Sequence, residues 1–174
     1  ALALATALAA RSLAWRAIRA NALGLLAAVI CAVVIGLCFP VTDPGGEIMS
    51  RTRAHPSDIA LALAAGAAGT LAFTSAVPMG LVGVMVAVAL LPPAVTAGLL
   101  AGDGRWEDAG GAALLLTLNV VCFNLAGVAT FLAAGIRPRT WWETERAKTA
   151  TRTALAVWAV LLAAVTGLVF YLFR

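Results

Sequence analysis

Two adjacent prolines, Pro92 and Pro93, stand inside the apolar stretch VAVALLPPAVTAGLL, Val86 to Leu100. Neither has a backbone N–H, so the carbonyls four residues earlier, those of Val88 and Ala89, lose their helical donors. Pro93 also disfavours the α region at Pro92, and together they read as a broken helix. In hydrocarbon such carbonyls need a replacement donor from protein, water or a ligand, so the interruption is expected to be buried or to line a cavity. The next apolar stretch supplies polar groups: Thr117, Asn119 and Asn124 in LLLTLNVVCFNLAG. Asn119 and Asn124 diverge by about 140° on a helix and cannot both face one point. Candidate substrate contacts are therefore Pro92, Pro93, Thr96, Asn119, Asn124 and the carbonyls of Val88 and Ala89. The competing use of both amides is interhelical adhesion, worth about 1 kcal/mol each.

Such chemistry needs helices in lipid to position it. Hydrophobic residues make up 63% of the 174-residue chain and charged residues 11%, and the mean hydropathy is +1.00. That is the composition of a membrane protein, since each crossing takes about 20 apolar residues. The pattern predicts an all-α, polytopic transmembrane bundle forming a single domain over residues 1–174. A partial span is expected at Ala1–Ala10, with Ala1 falling partway along it. Full spans are expected near Ala22–Phe39, Asp58–Ala76, Met79–Ala101, Ala109–Gly135 and Ala150–Phe173. Pro56, with Ser57 or Asp58, suits the start of the second full span. That span carries Asp58, Ala62, Gly66, Thr70 and Thr74 at four-residue spacing, with Gly69 beside them. A face of small residues favours close helix packing over lining a pathway.

Lys and Arg count eight on the side holding Arg11–Asn21 and Ile136–Arg152, and four on the other. The bias places the first side in the cytoplasm. Trp106, Trp141 and Trp142, with Arg137 and Arg139, read as interfacial anchors. The net charge of +4 comes without a basic stripe interleaved with aromatics, which argues against nucleic-acid binding.

An offset of 91 aligns Trp15 with Trp106, Cys31 with Cys122 and Gly36 with Gly127, among 10 identities across Ala1–Leu37. The expected units run from about 1 to 76, incomplete at its N-terminus, and from about 79 to 174. Three spans per unit reverse orientation between copies, which gives the inverted 3+3 arrangement of many secondary transporters.

Every Asp, Glu, Lys and Arg lies in a loop or at a span end, which disfavours an internal proton relay. Cys31, Cys38 and Cys122 sit in apolar runs and His55 stands apart from them, so neither a disulfide framework nor a metal site is expected. No nucleophile with a base and no phosphate loop is found; GLVG at Gly80–Gly83 lies within a span. An enzyme is not expected, and no cofactor is implied.

The segment Val82–Pro138 closely resembles the hydrophobic family named domain of unknown function 389. The resemblance rests on the LLPP sequence, the Gly-Asp-x-x-Trp type of turn at Gly102–Trp106, the Asn119-x4-Asn124 spacing and the closing Gly-Ile-Arg-Pro; ALALAAGAAGTLAF before it fits as well. The resemblance implies a multi-pass protein of a prokaryotic cytoplasmic (inner) membrane, often with a cytoplasmic domain, and a further span resembling IGAMVIAPL ahead of Ala1. The expected function is a transporter-like or channel-like domain for an unidentified ion or small polar solute. The alternative is a non-transporting anchor or assembly module for a cytoplasmic regulatory domain. The lipid bilayer is the expected partner, and small-residue faces favour a homo-oligomer, a dimer first.

Overall fold

The computed structural model describes residues 11–41, 45–75, 77–134 and 141–172. The partial span at 1–10, and Arg137 and Arg139, lie outside the described residues. Among those described the elements are α1 (Arg11–Cys38), α2 (Gly46–Ser50), α3 (Pro56–Thr74), α4 (Met79–Gly102), α5 (Trp106–Ala133) and α6 (Trp141–Leu172), with no strand.

Among the described residues, four helical segments are long and apolar enough to cross a membrane: Ile18–Cys38, Pro56–Thr74, Leu81–Gly102 and Trp106–Ala133. Large apolar side chains such as Leu23, Ile30, Val34, Leu61, Leu71, Leu81 and Val84 remain exposed on these helices. With lipid as the surrounding solvent such outward faces are favourable, and the helices satisfy their main-chain polar groups internally except where a proline removes a donor.

Two helices run beyond their expected limits. Asn21 and the preceding residues, expected to form a cytoplasmic link, continue α1 back to Arg11. The last helix begins at Trp141, well before the expected Ala150, and its apolar part is Leu155–Val169. Hydropathy marks only the lipid-embedded part of a helix. Ala, Arg and Lys are good helix formers in water, so the hydrogen-bond ladder continues past the bilayer without an apolar signal.

The expected interruption at Pro92–Pro93 is a correction of a different kind: α4 passes through both prolines as one helix. A proline's fixed φ of about −65° is itself helical, so the cost falls on the missing bonds and the preceding carbonyl rather than on the chain's path. A neighbouring helix offsets part of that cost, as described below.

Helix α5 is central, packing against α3, α4 and α6, while α1 packs along α4. One core cluster joins Ala54, Ala62, Leu115, Leu118 and Cys122 to Leu162, Val165 and Val169. A second joins Val128 and Phe131 to Phe73, Leu132 and Leu155, with the Phe73 and Phe131 rings edge-to-face at 5.7 Å.

Helix α3 starts at Pro56, and the Asp58 carboxylate accepts the His55 N–H at 2.7 Å. The turn between α4 and α5 is a Schellman closure: Arg105 N–H donates to Leu100 O at 2.8 Å and Gly104 N–H to Ala101 O at 3.2 Å. Gly104 occupies the left-handed region, φ 79°, where a side chain would be strained.

Candidate functional site

Pro92 and Pro93 lie near the middle of the apolar segment Leu81–Gly102, and Asn119 near the middle of Trp106–Ala133. The pairing of α4 with α5 brings the two midpoints together. Asn119 Nδ2 donates to the carbonyl oxygen of Ala89 at 3.1 Å. That is the acceptor which Pro93 deprives of its helical donor. An orphan carbonyl in hydrocarbon costs several kcal/mol, whereas an interhelical side-chain bond contributes about 0.6 to 2 kcal/mol. Avoiding the orphan is therefore the larger effect.

The other candidates do not all converge there. Asn124 Nδ2 donates to Val120 O on its own helix at 2.8 Å, so it does not reach the proline segment. Thr117 likewise returns its hydroxyl to Ala113 O at 2.8 Å and is exposed. Thr96 is buried, one turn beyond Pro92 on α4. Pro93 is fully buried and Ala89 half-buried, whereas Val88 is 68% exposed.

The small-residue face of α3 packs on α5. Ala62, Gly66, Gly69 and Thr70 are buried. A Cβ on Gly66 would come within 2.8 Å of the Phe123 carbonyl oxygen, and one on Gly69 within 3.1 Å of the Phe123 ring. Thr70 donates to Gly66 O at 2.8 Å. Thr74 is exposed and bonds Leu71 O at 2.9 Å, outside that contact. Trp106 is exposed at the start of α5, and Trp141 and Trp142 open α6.

Two features of the same end of the bundle escaped the sequence reading. Gly98 and Gly102 receive α1: a Cβ on Gly98 would lie 2.6 Å from Ala32 Cβ and 2.8 Å from Val29 O, and Gly36 faces the Leu99 carbonyl in return. The small-x3-small spacing of GLLAG was the available signal. The second is a polar strap. After α1, Val41 N–H donates to Asp103 Oδ1 at 3.2 Å. Arg105 pairs with Asp108 at 2.7 Å and also reaches Met49 Sδ at 3.7 Å. The Thr52 carbonyl lies over Gly111, where no side chain fits. Apart from the local Arg105–Asp108 pair, these contacts join residues far apart in sequence, whose types alone carry no signal of the pairing.

Helices of this length and apolarity, packed through small residues around an amide-matched carbonyl, define a polytopic α-helical membrane protein. Within that class, the profile of the family described as Domain of unknown function (DUF389) matches residues 1–125, and the chain belongs to that family. An uncharacterized protein of Methanocaldococcus jannaschii is 35% identical over 171 residues, which cover 98% of this chain and 53% of the relative. The chain thus spans about half the length of that relative. No solved structure matches.

Proposed function

We propose that this chain is a transporter-like or channel-like domain for an ion or small polar solute, with its pathway beside Pro92 and Pro93. The observation that carries the reading is the Asn119 amide on the Ala89 carbonyl, a main-chain acceptor near the middle of an apolar span. Polar backbone at that depth is a feature of substrate sites in transporters. In this reading the carbonyls of Val88 and Ala89, with Asn119, form the polar centre; Thr96 lies one turn away, and Asn124 serves its own helix. The helix carrying the site is continuous, so its acceptors come from missing proline donors and not from an unwound segment.

The wider proposal is an inverted 3+3 repeat in a prokaryotic cytoplasmic membrane, acting as a homodimer and without enzymatic activity. Its support is the offset-91 alignment of Trp15, Cys31 and Gly36 with Trp106, Cys122 and Gly127, and the charge asymmetry of the links. The test is a liposome flux screen of the full-length protein against ions and small polar solutes. Saturable flux that falls in Asn119→Leu and in Pro92→Ala/Pro93→Ala protein supports the site. Flux unchanged in both variants removes it.

One observation favours an anchor or assembly module instead: the close seating of Gly98 and Gly102 on α1 is tight packing of the kind a static scaffold uses. In that case every solute in the screen would cross no faster than through protein-free liposomes.

A further inference from the structure

Helix α4 changes its packing at the prolines. No residue from Leu81 to Leu91 is buried, whereas Pro93, Ala94, Thr96, Gly98 and Leu100 are. The difference lies in how many sides are covered. At about 100° per residue, Val82, Val86, Ala89 and Leu90 fall within about 60° of Pro93 around the helix, and all four are half-buried. Val84, Val88 and Leu91 fall within about 40° of the opposite side, and all three are exposed. Gly98 and Gly102 lie on that same opposite side, but there α1 is seated, with Val29, Val33 and Gly36 against the two glycines. The half of α4 beyond the prolines is therefore held from both sides, and the half before them from one.

The junction of the two halves is also where the backbone is weakest. Pro92 and Pro93 donate nothing to Val88 O and Ala89 O, so two consecutive rungs of the helical ladder are missing. Each ring crowds the carbonyl one turn back, and opening the helix on the proline's side relieves the clash. For Pro93 that opening tilts the Leu81–Leu91 half toward the side of Val84, Val88 and Leu91, into lipid. Apolar contacts of the inner side exchange for lipid tails at little cost, because the tails are as apolar as Leu. The Asn119 amide on Ala89 O has no such substitute in hydrocarbon, and it ties the loose half to α5 at 3.1 Å. We infer that Pro92 and Pro93 form a hinge, that Leu81–Leu91 is an arm swinging about it between a position against α5 and one tilted into lipid, and that the Asn119–Ala89 bond is the latch holding the arm in. The hinge needs no transported solute to exist; in the transport reading the arm is the element that opens the pathway.

The test measures distances between nitroxide labels in the purified full-length protein reconstituted in lipid. One label sits at Val84→Cys on the arm and the other at Ala129→Cys on α5, both exposed positions. The exposed Cys31 and Cys38 are replaced by Ala, and Cys122 is buried and escapes the label. A control pair, Leu37→Cys and Ala113→Cys, spans the clamped end. A further tilt of about 20° carries Val84, about 12 Å from Pro92 along the axis, by about 4 Å. Asn119→Leu should lengthen the Val84 to Ala129 distance by that amount and leave the control pair unchanged. Pro92→Ala/Pro93→Ala restores both rungs; it should keep the distance short, narrow its distribution below that of wild type and cancel the effect of Asn119→Leu. An unchanged distance in Asn119→Leu, or an equal lengthening with both prolines replaced, would overturn the hinge. If the control pair also shifts in Asn119→Leu, wild type against Pro92→Ala/Pro93→Ala decides, and a wild-type distribution no wider than the variant's overturns it. The flux screen separates this outcome from the transport reading. An arm that swings in a protein moving no solute upholds the hinge and removes transport, whereas flux through a protein whose arm stays fixed keeps transport and removes the hinge.

Discussion

Asn119 and Ala89, 30 residues apart in the chain, meet at 3.1 Å between the amide nitrogen of one and the carbonyl oxygen of the other. Proline chemistry frees the acceptor, and helix packing brings the donor. The two contributions are separable by mutation.

Replacing Asn119 by Leu leaves Ala89 O without its donor and should destabilise the protein by about 1–3 kcal/mol, the cost of an unpaired acceptor rather than of the bond alone. Pro93→Ala returns a helical N–H to the same carbonyl. In that background the cost of Asn119→Leu should fall to roughly half or less, a coupling that a double-mutant cycle measures. Reversible denaturation of all four proteins in mixed micelles reads it out, and equal costs in both backgrounds would refute the link.

The crossing of α1 and α4 predicts a strong contrast between two glycines of one helix. A methyl on Gly36 meets the Leu99 main chain, which cannot yield without moving α4, so Gly36→Ala should cost about 1–3 kcal/mol. Gly24 has open space around it, and Gly24→Ala should be neutral or stabilise by about 0.5–1 kcal/mol through helix propensity. Unfolding midpoints of the two variants decide the matter.

The strap after α1 hangs on Asp103. Asp103→Ala removes the acceptor for Val41 N–H and should release about 0.5–1.5 kcal/mol of local stability. Hydrogen exchange at Val41 should quicken up to about tenfold, since 1.4 kcal/mol corresponds to one decade. Asp103→Asn keeps an acceptor and should preserve most of the protection. Identical exchange in Asp103→Ala and wild type would show that the strap is held by other contacts.

The turn into α5 depends on the positive φ of Gly104. Gly104→Ala should cost about 1 kcal/mol or more, because the left-handed region penalises a Cβ. Gly45 has a negative φ and open space, and Gly45→Ala should be tolerated. Comparable midpoints for the two variants would argue that the turn rearranges.

Much of this protein could be read directly from its residues. The helical class and the positions of the apolar spans follow from hydropathy, since each span must pass through hydrocarbon with its backbone bonds closed inside one helix. The freed carbonyls of Val88 and Ala89 follow from covalent chemistry alone. The small face of Ala62, Gly66 and Thr70 was visible from its spacing, although Thr74 at the same spacing lies outside the contact.

Tertiary structure decided what those local facts become. It kept α4 continuous where two prolines read as a break, because a donor from α5 relieves one of the lost bonds. It also chose between the amides: Asn119 faces α4, while Asn124, about 140° around the same helix, bonds its own backbone. Likewise, the grip of Asp103 on Val41 and the seat of Thr52 over Gly111 depend on how α1, α4 and α5 are placed. Hydropathy and propensity act within one segment and state which groups need partners. Only the packing of separate helices in three dimensions determines which partner each one finds.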